Sequence, residues 1–485
     1  MTLDCLDSLL ASDWPTDRLE VVLVDNGSLD DVAATVTHDP RYRDRIQLLE
    51  PLRNMGFAAG CNLGLRQPGD WSYAILLNND ATVSPTAISR LVEAAERLRS
   101  QGDDRVGAIA AKLLFADPAQ GVAVEASESG PLVDGDPRPL GVRVSGVRVD
   151  GVRHDARVAF DEGFHLPEPP VADDGEELAR WSRKQGAVRI ARPDGSEPVR
   201  TVSLRLSCLV ERTVTLRDER TGENAVTVTV GPAPQWVDID VHPDAFDVIN
   251  NVGSEWYRDA FAGDRGFLEA DRGQFDEPAE VFAWCGGAVL LDRRYLDDVG
   301  LFDERLFLYY EDTELSWRGR RRGWRYVYEP TAVVRHRHAA SSGVGSPVFR
   351  FHTERNRLLV AARHAPARTA VRVGVGEVRR LASTLVRQLV LRPLRLRLPL
   401  RAEIGARRRI TQGYLRLLPA MLGARWERGA SVTRRTIAAW EVDKWAGRPC
   451  PPASMWPCTT CTGRPWAGES RWTARWPRCW PSTTT

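Results

Sequence analysis

The stretch FAWCGGAVLLDRRYLDDVGLFDERLFLYYEDTELSWRGRRRGWRYVYEPTAVVRHRH, residues 282–338, decides how this chain is read. It places an acidic cluster, Glu311, Asp312 and Glu314, directly behind the apolar run 306–310. The pair Gly286 and Gly287 precedes the cluster, and His336 follows the strand-like segment 325–334. Carboxylates beside apolar sequence are costly to bury without a partner or a job, so this spacing points to a site. A helix is predicted from about Glu311 to Arg322, with Glu314 as a charge that favours the helix dipole. His338 is a weaker candidate of the same kind as His336.

Outward from that block, residues 1–115 alternate helix and strand signals. Helix is predicted at 3–10, 59–65 and 85–98, and strand at 20–24, 46–49, 74–77 and 106–110. Alternation at this pitch predicts an α/β fold, a Rossmann-like and mostly parallel sheet with helices on both faces. Ligands of such sheets sit at the carboxyl ends of strands, where Asp25 and Asp80 fall. Between 118 and 245 the texture changes to period-2 runs such as VRVSGVRVDGV and AVTVTVG, broken by Gly, Pro and Asp. These predict an inserted all-β, sandwich-like module. The α/β pattern resumes over 246–365, and Arg-rich helices follow over 366–446.

The 485 residues carry a net charge of only +1, yet the charge is unevenly spread. Residues 366–435 hold seventeen Arg and no Lys against three Glu. A basic helical tail on an acidic body predicts an anionic surface as partner. No nucleic-acid motif or aromatic interleaving accompanies the Arg, so lipid is expected rather than nucleic acid. No run of about 18 apolar residues predicts a membrane span, and no basic-then-apolar leader opens the chain. Cys5, Cys61, Cys208 and Cys285 are unpatterned, as in a reducing cytosol.

Three further motifs carry chemistry. VVLVDNGSLDD (21–31) is a strand ending in Asp25 and Asn26, where a carboxylate can accept hydrogen bonds from a base or ribose. A plain Asp-Asn-Gly turn explains the same residues. NMGFAAGCNLGL (54–65) spaces glycines four apart, which is neither the dinucleotide nor the phosphate-loop fingerprint; tight helix packing accounts for it equally. AILLNNDATVSP (74–85) is a strand running into Asn78, Asn79 and Asp80. Hard oxygen ligands there suit Mg²⁺ or Mn²⁺ against a diphosphate, and a helix cap is the simpler alternative.

Taken in order, VDNGSLDD, NMGFAAGCNLG, LLNNDATV, CGGAVLLDRR, VGLFDERLFLYYEDTELSWR and His336 resemble the family 2 inverting glycosyltransferases of the GT-A fold. The resemblance is nearest to bacterial rhamnosyl- and galactofuranosyltransferases of cell-wall and surface polysaccharide synthesis. It covers roughly 3–117 and 246–365, and the segment FHTERNRLLV (351–360), with Arg355 and Asn356, fits the end of that domain. It implies a nucleotide-binding set of Asp25, Asn26, Asn54, Asn62 and Asp80. It further implies Asp312 as general base with Glu311 positioning the acceptor, and Trp284, Gly286 and Gly287 against donor and acceptor. A divalent metal (Mg²⁺ or Mn²⁺) would be held by Asp80 and His336, with Asn78 standing where the family often has an acid. The implied partners are a nucleotide-diphospho-sugar and a glycan or polyprenyl-linked acceptor, at the cytoplasmic inner face of an anionic membrane.

The alternative is a non-catalytic glycan-binding or scaffolding protein with a degenerate transferase domain, the β module doing the binding. Two departures bear on that choice. A helix begins at residue 2 where the family opens on a strand, so the first strand is expected to be missing. The β module is also larger than the connection common at that point. Residues 447–485, with five Trp, seven Pro and four Cys, resemble out-of-frame translation and are expected to be disordered.

Overall fold

The computed structural model describes residues 1–28, 30–132, 138–153, 157–165, 179–337, 346–394, 398–426 and 429–442. His338 and the 447–485 tail lie outside them. The chain forms two compact units, one built from 1–116, 249–267 and 272–443 and the other from 117–248 and 268–271.

The first unit is organised on the apolar strand Val106–Phe115, whose residues are buried through Leu114. On one side it pairs in parallel with Arg325–His336, and on the other antiparallel with Ala288–Asp292, which pairs with Tyr73–Leu77. Ala81–Val83 extends the far end of Arg325–His336, and Ile249 pairs with Leu114. Alternate residues of the central strand feed two separate cores. Ala108 and Ala110 join Tyr295, Leu296 and Leu315, whereas Ile109, Ala111 and Leu113 join Leu91 and Ala94 of the helix Ala87–Ser100. Both faces are therefore covered, which is why the strand reads as one apolar run.

The α/β class holds, and the sheet itself is mixed where a mostly parallel one was expected. Ala288–Asp292 runs antiparallel between two neighbours because the long excursion before it returns the chain from the opposite end. The parallel pair Val21–Val24 and Ile46–Leu49 forms a sheet of its own. The carboxyl end of Val21–Val24 nevertheless presents Asp25, and Asp80 follows Tyr73–Leu77 by three residues.

The second unit has two five-stranded antiparallel sheets. Val122, Val188 and Leu216 from one and Val147, Leu204 and Val237 from the other share a single core. Alternation along Arg212–Asp218, buried and exposed by turns, is the period-2 signature seen in the sequence.

Candidate active site

Asp25 sits half-buried just past its strand, its Oδ1 accepting from the Ser28 amide at 2.8 Å. Gly27 brings the chain against Asn54, whose exposed side chain accepts from the Gly56 amide at 2.9 Å. Asn26 closes the same loop from beneath: its Nδ2 donates to the Gly56 carbonyl at 2.9 Å and its Oδ1 accepts from Met55 N at 2.8 Å. Gly56 itself has φ +83°, and a Cβ there would lie 2.5 Å from the Phe307 ring. Only glycine combines that conformation with such an approach.

Asp80 and His336 meet. Both are buried, at 8% and 6% exposure, with Nε2 of His336 3.1 Å from Asp80 Oδ1. The other ring nitrogen, Nδ1, lies 2.9 Å from Asn250 Oδ1, an acceptor, so it carries the proton. Nε2 then faces a carboxylate oxygen of Asp80. Asn78 Nδ2 is 3.1 Å from the same Nε2. Among the described residues no group of three or more His, Cys, Asp or Glu gathers to hold a metal. One carboxylate and one imidazole, oriented from behind by an amide, do suit a divalent ion that takes its remaining ligands from phosphate and water.

The helix Glu311–Arg321 begins with the predicted base. Asp312 Oδ2 accepts from the Gly286 amide at 3.2 Å, and Oδ1 accepts from the amide and hydroxyl of Thr313 at 2.5 and 3.2 Å. Burial nonetheless pushes the Asp312 carboxyl above the ordinary aspartate range, with the nearby charge of Asp264 adding to it. Glu311 is driven well up, by burial first and by Asp312 second. Its Oε2 is buried with no hydrogen-bond partner among the described residues, consistent with a carboxyl that keeps its proton.

The Gly286–Gly287 pair connects the two halves. Gly286 donates to Asp312, while the Gly287 carbonyl accepts from Asn78 N at 3.0 Å, and Asn78 reaches His336. Asp312 and the Asp80–His336 pair are thus tied to one short backbone segment.

The approach to Asp312 is conformationally unusual. Phe307, Tyr309 and Tyr310 all have positive φ, between 66° and 71°. Such positions cost about 1–3 kcal/mol each and persist only when the surroundings hold them. The holding group is Asn356, fully buried in the helix Pro347–His364. Its Nδ2 lies 2.8, 2.8 and 2.7 Å from the carbonyls of Leu306, Leu308 and Tyr309, and Arg355 Nε donates to its Oδ1 at 2.9 Å.

Several sequence expectations are corrected. Asn62 is fully buried and saturated, bonding both N and O of Phe302 and Oε1 of Glu304, so it braces the core instead of meeting a nucleotide. Asn26 spends both ends of its amide on the 55–56 loop and acts on Asn54 from behind. Trp284 is 0% exposed and packs edge-on against Phe302, 6.0 Å between centroids, leaving no surface for a sugar. Glu314 does stand in the first turn of its helix, but it is spent on buried ion pairs. It is fully buried among Arg318, Arg363 and His364 at 2.9, 2.6 and 2.8 Å, and those partners hold its carboxyl far below the usual range despite burial. Asp80 caps no helix, since Thr86 occupies the cap of Ala87–Ser100. Asn250 and Asp264 were not anticipated at all, because INN and GD carry no local pattern that distinguishes them. Asn356 was visible only as part of a motif.

Residues 1–104 match the family model described as glycosyl transferase family 2. Over 69 residues the chain is 46% identical to the N-acetylglucosaminyl-diphospho-decaprenol L-rhamnosyltransferase of Mycobacterium tuberculosis, in two strains. That match spans 14% of this chain and 22% of the relative's length. Among solved structures, the mannosyltransferase PcManGT from Pyrobaculum calidifontis in complex with GDP-Man and Mn²⁺ is 13% identical. It covers 86% of this chain and 83% of its own, with a TM-score of 0.34. GalNAc-T7 with UDP, GalNAc and Mn²⁺ is 12% identical over 75% of this chain and 45% of its own, with a TM-score of 0.36. At those scores neither likeness adds to the fold assignment. The sequence match stands by itself: residues 1–104 of this chain are similar to glycosyl transferase family 2.

Proposed function

We propose that this protein is an inverting glycosyltransferase that moves a sugar from a nucleotide-diphospho-sugar to a hydroxyl acceptor. One observation carries the reading: Gly286 and Gly287 bind Asp312 on one side and the Asn78–His336–Asp80 group on the other. A base and an anion-handling pair on a shared backbone segment are what a direct displacement needs.

Asp25 accepts hydrogen bonds from the base or ribose, with Asn54 beside it. Asp80 and His336 would hold a divalent ion, which would supply charge neutralisation for the nucleoside diphosphate leaving group. Asp312 accepts the acceptor's hydroxyl proton as that oxygen forms its bond to the anomeric carbon. The bond from that carbon to the diphosphate oxygen breaks on the opposite side, so configuration inverts in one step. The raised affinity of Asp312 for a proton suits the base role, and the fixed Gly286 and Thr313 contacts aim its oxygens. Burial and the neighbouring Asp312 make Glu311 hold its proton more tightly than an ordinary glutamate.

The donor in this reading is an activated rhamnose or a galactofuranose-like sugar, and the acceptor a glycan or a polyprenyl-linked one at the cytoplasmic face of an anionic membrane. The 46% identity to a rhamnosyltransferase named for a diphospho-decaprenol acceptor supports it. The test is nucleotide release from a panel of nucleotide sugars with Mn²⁺ or Mg²⁺ and candidate acceptors. Turnover that falls by about 10³-fold or more in Asp312→Asn is the expected result. No turnover with any pairing, together with glycan binding unaltered in Asp312→Asn, would show a binding protein instead.

A further inference from the structure

We infer that the tip joining the last two long helices, residues 386–394 and 398–401, is a membrane-inserting element that seats the protein on an anionic bilayer. The inference rests on the proposed lipid-linked acceptor only for its purpose; the surface stands on its own geometry. The helices Ala367–Val386 and Arg401–Ala424 flank this tip in the chain. Leu389, Val390, Leu391, Leu394, Leu398 and Leu400 are all exposed there, Leu394 at 76% and Leu398 at 85%. Isolated exposed leucines are ordinary, but contiguous apolar surface of this kind on a soluble protein marks an interaction site.

The tip is a built turn with an inside and an outside. Gln388 is buried, accepts from the Leu400 amide at 2.9 Å and donates to Glu403, to which Arg387 is also bonded. Arg392 Nε donates to the Leu398 carbonyl at 2.8 Å. The polar groups thus close the turn from within, and the leucines are what remains outside.

Charge selects the partner. The two described carboxylates of these helices are consumed internally, Glu377 by Arg407 and Thr411 and Glu403 by Arg387 and Gln388. Arg379, Arg401, Arg408 and Arg409 are exposed and make no ion pair among the described residues. An apolar tip on helices that carry unopposed guanidinium groups matches a bilayer with anionic headgroups, the leucines entering the acyl boundary and the Arg staying with the phosphates. A second copy of the same surface would set Arg against Arg. No described helix is long and apolar enough to cross a membrane, so the contact is peripheral.

The experiment is co-sedimentation of the full chain with vesicles, without donor sugar, so that its outcome is independent of turnover. Vesicles of equal phosphatidylglycerol and phosphatidylcholine bind it, and phosphatidylcholine alone binds it at least about tenfold more weakly. The triple change Leu389→Glu, Leu394→Glu and Leu398→Glu lowers binding by about tenfold or more. Arg408→Gln with Arg409→Gln weakens it by about fivefold per Arg and reduces its salt dependence. Circular dichroism and size exclusion verify that each variant stays folded. Equal binding by the triple variant, no preference for the anionic vesicles, or a dimer that the triple change dissolves would each overturn the inference.

Discussion

Asn356 Nδ2 lies 2.7 Å from the carbonyl of Tyr309, and Tyr309 stands three residues before the proposed base Asp312. A side chain forty-odd positions downstream therefore holds the backbone from which the reactive helix starts. Asn356→Ala leaves the carbonyls of Leu306, Leu308 and Tyr309 without that donor inside a strained turn. The expected cost is about 1–3 kcal/mol of stability, read as a lower unfolding midpoint. A drop in kcat with a nearly unchanged donor KM distinguishes misplacement of Asp312 from a general loss of fold. Asn356→Gln, which keeps the amide, should recover part of kcat; equal loss in both variants would argue against positioning.

The acid limb of activity reports Asp312. Its carboxyl is raised by burial first and by Asp264 among other causes, so kcat/KM should rise through a value above the ordinary aspartate range. Asp264→Asn removes the like charge and should move that limb to lower pH; an unmoved limb would exclude the coupling. Stability runs in the opposite sense. For Glu311 and Asp312 the folded state binds the proton more tightly than the unfolded one, so their contribution is present at low pH and is lost as pH rises through the raised values.

Metal use should depend on a residue that touches no metal. Asn250 fixes which nitrogen of His336 is protonated, and Asn250→Ala frees the ring to turn or change tautomer. Outer partners of this type are worth about 10–100-fold in metal affinity. Titration of Mn²⁺ by its paramagnetic signal, and of the Mn²⁺ needed for nucleotide release, should both show it. His336→Ala should raise the requirement further, and an unchanged requirement would remove His336 from the site.

The Glu314 cluster makes the fold acid-sensitive. His364 is pushed down to about 4 by burial, so it is neutral at physiological pH while the unfolded chain protonates near 6.5. Glu314 stays ionised far below its ordinary 4.5. Both signs agree: the His364 contribution is lost as pH falls from 6.5 towards 4, and that of Glu314 below 4.5. Glu314→Gln leaves Arg318 and Arg363 buried without their counter-charge and should cost about 3–5 kcal/mol. Denaturant unfolding at pH 7.5, 5 and 3.5 checks both statements: the wild-type protein loses stability from pH 7.5 to 5 through His364, whereas its margin over Glu314→Gln shrinks only below 4.5, and a margin that already shrinks at pH 5 would contradict the assignment.

Period and composition made much of this architecture legible. Val106–Phe115, Ala87–Ser100 and the strands of the β module follow from apolar patterning, because each buries a face whose spacing the sequence records. Strand direction was harder, since an apolar run looks the same parallel or antiparallel. At the site, Asp80, His336 and Asp312 announced themselves as acids and a histidine at strand or helix ends. Asn62 and Trp284 looked equivalent on paper, and only tertiary packing separates a group that faces a cleft from one that is spent in the interior. Asn250, Asp264 and Asn356 act across 86, 48 and roughly fifty residues of chain, a range that no local pattern reaches.

The rung where Ile249 sits opposite Leu114 has one more consequence. Antiparallel neighbours on one rung are about 5 Å apart, so the chain quits the main sheet and rejoins it at almost the same point. Topologically residues 116–248 are the loop of a β-hairpin. A short turn bridging Phe115 to Ile249 is expected to close the two strands as an ordinary hairpin.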